Sequence, residues 1–277
     1  MKEIIRAKNS GFCFGVDRAV NEAFSIINPK GKTYTLGPLI HNKDVTNKLS
    51  EKGINEISVE EIKNLTENDT VIIRTHGVAL DIYDELKGKR VEIIDLTCPY
   101  VINIQKKVKE NYDKRYKIVI LGDKNHPEVI GINGYCENSA YITKTGNIET
   151  PLNGKICVVS QTTEKQENWL TLINNIAKTA KEFVAFNTIC KATEDRQKSA
   201  EEISKEVDVM IVIGGKSSSN TTKLYEICKK NCDRTFLIEN SKDLVAIKEN
   251  IKDAVKVGIT AGASTPEWII KEAMENL

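Results

Sequence analysis

Three of the seven cysteines in this 277-residue chain share one setting. The stretches IIRAKNSGFCFGVDRAV, VEIIDLTCPYVINI and FVAFNTICKATEDRQ each run from a strand-like segment through a cysteine into a helical pattern, placing Cys13, Cys98 and Cys190 at spacings of 85 and 92 residues. A thiol just ahead of a helix lies near the positive end of the helix dipole, which favours the thiolate and therefore soft-metal binding. Pro99 suits a first helical turn and sharpens the second of these starts. Three thiolates converging from three units could hold three irons of a cubane cluster and leave the fourth without a protein ligand, and a catalytic metal needs such an open position. The plainer fate of a free thiol is to be a small buried hydrophobe. That reading is adopted for Cys157, inside an apolar strand, for Cys136, after a short helix, and for Cys228 and Cys232, four apart on one amphipathic helix with no histidine nearby.

The only three histidines, His41 in LIHN, His76 in THGV and His126 in NHPEV, all follow strand-like runs. Imidazoles donate to phosphate oxygens and titrate in the physiological range. The run GGKSSSNTTKL gathers hydroxyls and backbone N–H groups, Ser218, Ser219 and Asn220 among them, where a strand passes into a helix, a ready anion cradle. A Walker A loop is excluded, because Met210 stands where that motif needs its first glycine. In TAGASTPE, Ser264 and Thr265 precede Pro266 and a helix start. Glu128, after Pro127, is placed to donate a proton or to complement a helix dipole, and Thr162 and Thr163 in SQTTEK are placed to relay a proton or to cap the next helix.

The elements that must hold these groups alternate. Strand-like runs at Glu3–Ile5, Val71–Ile73, Val91–Ile94, Lys117–Leu121, Ile156–Val159, Val207–Ile213, Thr235–Ile238 and Val255–Ile259 are separated by helical patterns such as Val16–Ile27, Tyr100–Tyr112, Glu164–Thr179 and Thr193–Glu206. Such alternation predicts an α/β fold with parallel sheets covered by helices on both faces, whose ligands lie at the carboxyl ends of the strands. With 40 basic and 39 acidic side chains, no global field draws the chain to nucleic acid or anionic lipid. The amino terminus lacks the long apolar region of a signal peptide, and the longest apolar run, Val209–Ile213, is too short to span a membrane. A cytoplasmic protein with free thiols is expected.

The ordered set GFCFGVDRA, LIHN, THGV, DLTCP, HPEV, SQTT, TIC with DRQ, SSSN and TAGAS covers nearly the whole length and resembles the IspH/LytB family of 4-hydroxy-3-methylbut-2-enyl diphosphate reductases. The resemblance implies three similar small α/β domains, 14–97, 98–189 and 190–277, the last completed by the strand in 1–13, in pseudo-threefold arrangement around a central 4Fe-4S cluster. It implies Cys13, Cys98 and Cys190 as cluster ligands with one iron open. It implies His41, His76, His126, Ser218, Ser219, Asn220 and Ser264 as diphosphate-binding groups, with Thr162 also at the substrate, and Glu128 as proton donor, with Thr162 beside it and His126 as the further catalytic residues. The reaction implied is a reductive dehydroxylation of an allylic diphosphate to isopentenyl and dimethylallyl diphosphate, the last step of the non-mevalonate pathway, with electrons from a ferredoxin or flavodoxin. A non-catalytic cluster or phosphate sensor and a thiol or zinc hydrolase are the competing readings; substitution of Glu128 discriminates the first, and the wide spacing of the thiols and the lack of a His-Glu zinc motif argue against the second.

Overall fold

The computed structural model describes residues 2–26 and 31–277. Twelve strands run Glu3–Arg6 (β1), Thr33–Leu36 (β2), Ile54–Ile57 (β3), Thr70–Ile73 (β4), Glu92–Asp95 (β5), Lys117–Leu121 (β6), Tyr141–Thr143 (β7), Lys155–Ser160 (β8), Glu182–Ala185 (β9), Val209–Ile213 (β10), Thr235–Ile238 (β11) and Lys256–Ala261 (β12). The helices are Phe14–Ser25 (α1), Lys43–Glu51 (α2), Leu80–Gly88 (α3), Pro99–Asp113 (α4), Pro127–Asn133 (α5), Gln166–Ala177 (α6), Lys191–Ser204 (α7), Ser219–Asn231 (α8), Leu244–Ile251 (α9) and Glu267–Glu275 (α10). The helix expected over Val16–Ile27 is α1, and Ile27 itself lies outside the described residues. Pro266 caps α10 from outside rather than opening it.

The strands form three four-stranded sheets, β3-β2-β4-β5, β7-β6-β8-β9 and β1-β12-β10-β11, with every pairing parallel. Ranked by chain order within its sheet, each of the first two has the doubly wound order second, first, third, fourth. The remaining sheet has the same order when the amino-terminal β1 takes the fourth place beside β12, with Glu3 opposite Lys256 and Arg6 opposite Ile259. The fold is therefore α/β with three sheets of one topology. In this order the crossovers leave the first and third strands in opposite directions, so a crevice opens between the loops that follow them.

The chain divides into two compact units, Met1–Asp17 with His41–Lys43 and Lys191–Leu277, and Arg18–Ile40 with Asp44–Cys190. The first holds the β1-β12-β10-β11 sheet. Val209, Ile211, Ile213, Val257 and Ile259 pack on one side of it with Ile269 and Ile270 of α10, while Met210 and Val212 pack on the other with Ala200 of α7 and Leu224 and Cys228 of α8. The second unit holds the other two sheets. There Ile104 and Val108 of α4 cover Ile118, Ile120 and Val159, and Trp169, Leu172 and Ile176 of α6 cover the opposite face with Val119, Leu121 and Val158. Strands buried on both faces need apolar side chains at every position, which is why these read as unbroken Val/Ile runs. Among the described residues no helix is long and apolar enough to cross a membrane.

Candidate active site

The repeated topology sorts the chemistry by loop. After the first strand of each sheet come the loops with His41, with His126 and Glu128, and with Ser218, Ser219 and Asn220. The third strands lead into His76, into Thr162, and into Ser264. Beyond the fourth strands lie Cys98, Cys190 and Cys13. The imidazole, carboxyl and hydroxyl groups thus sit at the switch point of each sheet, and the thiols one loop further along its carboxyl edge.

The three thiol residues are anchored alike. The backbone N–H of Cys98 donates to Thr75 O at 3.0 Å, that of Cys190 to Thr162 O at 2.9 Å, and that of Cys13 to Ala263 O at 3.4 Å. Each acceptor lies two residues beyond the end of its sheet's third strand. Every one of the three cysteines directly precedes a helix, and all are partly exposed, whereas Cys136, Cys157, Cys228 and Cys232 are buried. Burial, then the neighbouring thiol, pushes Cys157 and Cys228 up to about 12, and burial also raises Cys136. Those thiols are held protonated, which suits packing rather than ligation. Cys157 lies inside β8 and Cys228 on α8 as read from the sequence, but α8 stops at Asn231, so Cys232 caps that helix rather than extending it. Three equivalent, accessible thiols at helix starts are a donor set that fits an iron-sulfur group.

In the second unit His76, His126, Glu128 and Thr162 form one connected run. His126 caps α5, its Nδ1 accepting from the Glu128 backbone N–H at 3.2 Å, which leaves the proton of the neutral ring on Nε2. The His76 and His126 rings stand edge to face with centroids 5.3 Å apart. Glu128, 3% exposed, receives the Thr162 backbone N–H on Oε1 at 2.6 Å and its hydroxyl on Oε2 at 2.8 Å. Thr162 also carries the carbonyl that anchors Cys190, so the carboxyl group and a thiol are separated by one residue. Gln161 braces the run, accepting from the Asp123 backbone N–H and donating to Thr163 Oγ1.

In the first unit Ser264 donates its hydroxyl to His41 O at 3.2 Å. Gly215 comes so close to the same carbonyl that a Cβ there would lie 2.5 Å from it, so only glycine lets the SSSN loop meet His41. Ser218 caps α8 by accepting from the Thr221 backbone N–H, and Ser219 is the first residue of that helix. Asn220 is 3% exposed, and neither side-chain amide atom has a hydrogen-bond partner among the described residues. A buried amide left open in this way costs free energy unless something else binds it.

His76, His126, Glu128, Thr162, Cys98 and Cys190 are thus brought together within one unit, and His41, Ser218, Ser219, Asn220, Ser264 and Cys13 belong to the other. Sequence reasoning missed two arginines, Arg18 and Arg196, which bind the backbone beside Cys98 and Cys13. Their only signal was their place inside the fragments GFCFGVDRA and DRQ.

A parallel α/β fold that presents accessible thiols, a buried carboxyl with its hydroxyl partner and a serine- and amide-bearing helix start along the carboxyl edges of its sheets defines an α/β protein whose ligand-binding groups lie on those edges. The chain matches the family described as LytB protein over residues 4–277, and it belongs to that family. It is 57% identical over 273 residues to the 4-hydroxy-3-methylbut-2-enyl diphosphate reductase of Clostridium tetani, covering 98% of this chain and 43% of that one, so it spans less than half the length of that relative. It is 53% identical to the enzyme of the same name from Clostridium perfringens strain 13, covering 100% and 98% of the two chains. Among solved structures, one described as (E)-4-hydroxy-3-methyl-but-2-enyl diphosphate reductase, the terminal enzyme of the non-mevalonate pathway, is 40% identical with a TM-score of 0.70, over 100% of this chain and 99% of that one. The Plasmodium falciparum reductase structure is 29% identical with a TM-score of 0.87, over 99% and 87%.

Proposed function

We propose that the chain reduces (E)-4-hydroxy-3-methylbut-2-enyl diphosphate to isopentenyl and dimethylallyl diphosphate, taking up two electrons and two protons and releasing water. The observation that carries the reading is the common anchoring of Cys13, Cys98 and Cys190 after the fourth strand of three like sheets. These three residues would hold a 4Fe-4S cluster with one iron open. When bound, that cluster supplies the electrons and a Lewis-acidic position facing the substrate.

The chain's own groups do the rest. Ser218, Ser219, Asn220 and Ser264, with His41, His76 and the Nε2–H of His126, supply donors for the diphosphate and so fix the hydroxymethyl end. Hydroxide is a poor leaving group, so breaking the C–O bond calls for a proton on the departing oxygen. Glu128 is placed to give it through Thr162: with the carboxyl protonated, the Thr162 hydroxyl accepts from Oε2 and turns its own proton outward. With two electrons taken up and the C–O bond broken, the remaining allylic anion takes the second proton on carbon, and the diphosphate itself can deliver it. The domain partition 14–97, 98–189 and 190–277 with 1–13 belongs to this proposal, as do a ferredoxin- or flavodoxin-type electron donor and a cytoplasmic location.

The test is to purify the protein without oxygen, assay iron and sulfide, and record absorption and electron paramagnetic resonance spectra before and after adding the hydroxymethylbutenyl diphosphate. A brown protein whose cluster signal changes with substrate supports the reading. A colourless protein that resists cluster reconstitution overturns it.

A further inference from the structure

Arg196 of α7 is 6% exposed and directs its guanidinium onto the loop before Cys13. Its Nε and Nη2 donate to Gly11 O at 3.2 and 2.8 Å, Nη2 also donates to Phe12 O at 3.0 Å, and Nη1 returns to Ala192 O of its own helix at 2.7 Å. Arg18 of α1 does the same for the next thiol, its Nη2 donating to Leu96 O at 3.2 Å and to Thr97 O at 2.9 Å. In both cases the acceptors are the two carbonyls immediately before a cysteine. In both cases the arginine lies five or six residues after another of the three cysteines, Cys13 for Arg18 and Cys190 for Arg196. The third corner has no counterpart, because α4, which follows Cys98, contains no arginine. There Thr188 fastens the Cys190 loop to β8, its Oγ1 receiving the Ser160 N–H at 2.8 Å and donating to Ser160 O at 2.6 Å.

A planar guanidinium can hold several carbonyls in a fixed fork; an ammonium or an amide cannot. The gripped loop is one that only glycine can form, since Gly11 sits at φ 86° and a Cβ there would meet Ile270 Cδ1 at 2.9 Å. Spending a guanidinium on neutral carbonyls is costly unless an anion lies close by, and Arg18, half-buried with its Nε enclosed, has no carboxylate partner among the described contacts. We propose that Arg18 and Arg196 are positioning residues for the metal-binding thiols of Cys98 and Cys13, so that the helix leaving one thiol fixes the loop that presents the next. The inference rests on the reading of those cysteines as cluster ligands.

It is tested on the anaerobically purified holoprotein by the rate of iron release to excess chelator and by the cluster reduction potential. Arg18→Gln and Arg196→Gln are expected to release iron about 10-fold faster or more, as loss of charge-assisted hydrogen bonds implies, and to shift the potential downward through loss of a positive charge. Arg18→Lys and Arg196→Lys keep the charge but not the fork, so they restore the potential while still releasing iron faster than wild type. Arg234→Gln, which removes an exposed pair with Asp253, behaves as wild type in both readouts. Wild-type release rates in the glutamine variants overturn the proposal; should those variants not fold by circular dichroism, wild-type rates in the lysine variants overturn it. A wild-type protein that holds no iron or sulfide instead refutes the cluster reading beneath it.

Discussion

Thr162 donates twice to Glu128, through its backbone N–H to Oε1 and its hydroxyl to Oε2, at 2.6 and 2.8 Å. A backbone donor cannot reverse, so Oε1 is always an acceptor and any proton the carboxyl group carries must sit on Oε2, facing the hydroxyl. Any proton exchanged between the carboxyl group and the hydroxyl is thereby confined to Oε2. Glu128→Gln keeps shape and hydrogen bonding but cannot deliver a proton, and it should lower turnover by about 10²- to 10⁴-fold. Cluster content and substrate affinity should stay near wild type. Full activity in steady-state assays of that variant would remove Glu128 from the proton path.

The equivalent anchoring of three thiols makes a sharp contrast with the buried ones. Cys98→Ser, Cys13→Ser or Cys190→Ser should lose the cluster or hold it weakly, whereas Cys228→Ser, in the packing between α7 and α8, should keep full iron. Iron and sulfide assays on the four variants decide the matter. Retained iron in all four would show the trio to be misassigned.

How far the sequence disclosed this arrangement depends on what each element buries. Strands such as β10 and β6, apolar at almost every position, were legible because both faces are covered. β3 and β7 were not: β3 carries Asn55 and Glu56 between its two isoleucines and β7 is only three residues long, so neither offers an apolar run, whereas the edge strands β1, β5 and β11 do. β2 escaped for another reason, since its buried Thr33 and Thr35 satisfy a sheet interior without reading as hydrophobic. The thiols were found because each stands between a strand and a helix, a local pattern. The forks of Arg18 and Arg196 join residues 78 to 185 positions apart, which no local pattern encodes.

Thiol chemistry offers an independent check. Cys157 and Cys228, raised to about 12 by burial and by a neighbouring thiol, titrate about four units above a labelling buffer at pH ~8, so only roughly one molecule in 10⁴ presents the reactive thiolate. Iodoacetamide treatment of the folded protein followed by peptide mass spectrometry should leave both unmodified, and unfolding in denaturant should make both react. Rapid labelling in the native state would contradict their buried placement.

The amino-terminal strand is held by a pair whose pH dependence has a defined sign. Arg6 meets Glu267 of α10 in a two-pronged contact, Nη1 to Oε1 at 2.7 Å and Nη2 to Oε2 at 2.8 Å, and this hydrogen bonding holds the Glu267 carboxyl below its ordinary 4.5. A carboxylate depressed by folding stabilises the protein above its unfolded value and ceases to do so as pH falls through its folded one. Because the pair is half exposed, Glu267→Gln should cost only about 0.2–1 kcal/mol at neutral pH. Urea unfolding of both proteins should show that gap closing at pH ~3. A gap that persists there would mean the loss comes from packing.

Asn220 separates binding from stability most cleanly. Its amide is buried in the first turn of α8 with neither atom partnered among the described residues, so in the free protein it costs desolvation and gives nothing back. Hydrogen bonds to a charged group are worth about 1.5–3 kcal/mol, so if the amide meets the diphosphate, Asn220→Ala should raise KM by about 10- to 100-fold. The same substitution should leave the thermal midpoint unchanged or slightly higher, because it removes an unsatisfied polar group. Asn220→Asp should weaken binding further still, by setting a negative charge against the phosphate oxygens. Kinetics and thermal unfolding of the two variants read out both quantities, and a lowered midpoint with unaltered KM would make Asn220 a structural residue and leave the diphosphate to the serines and histidines.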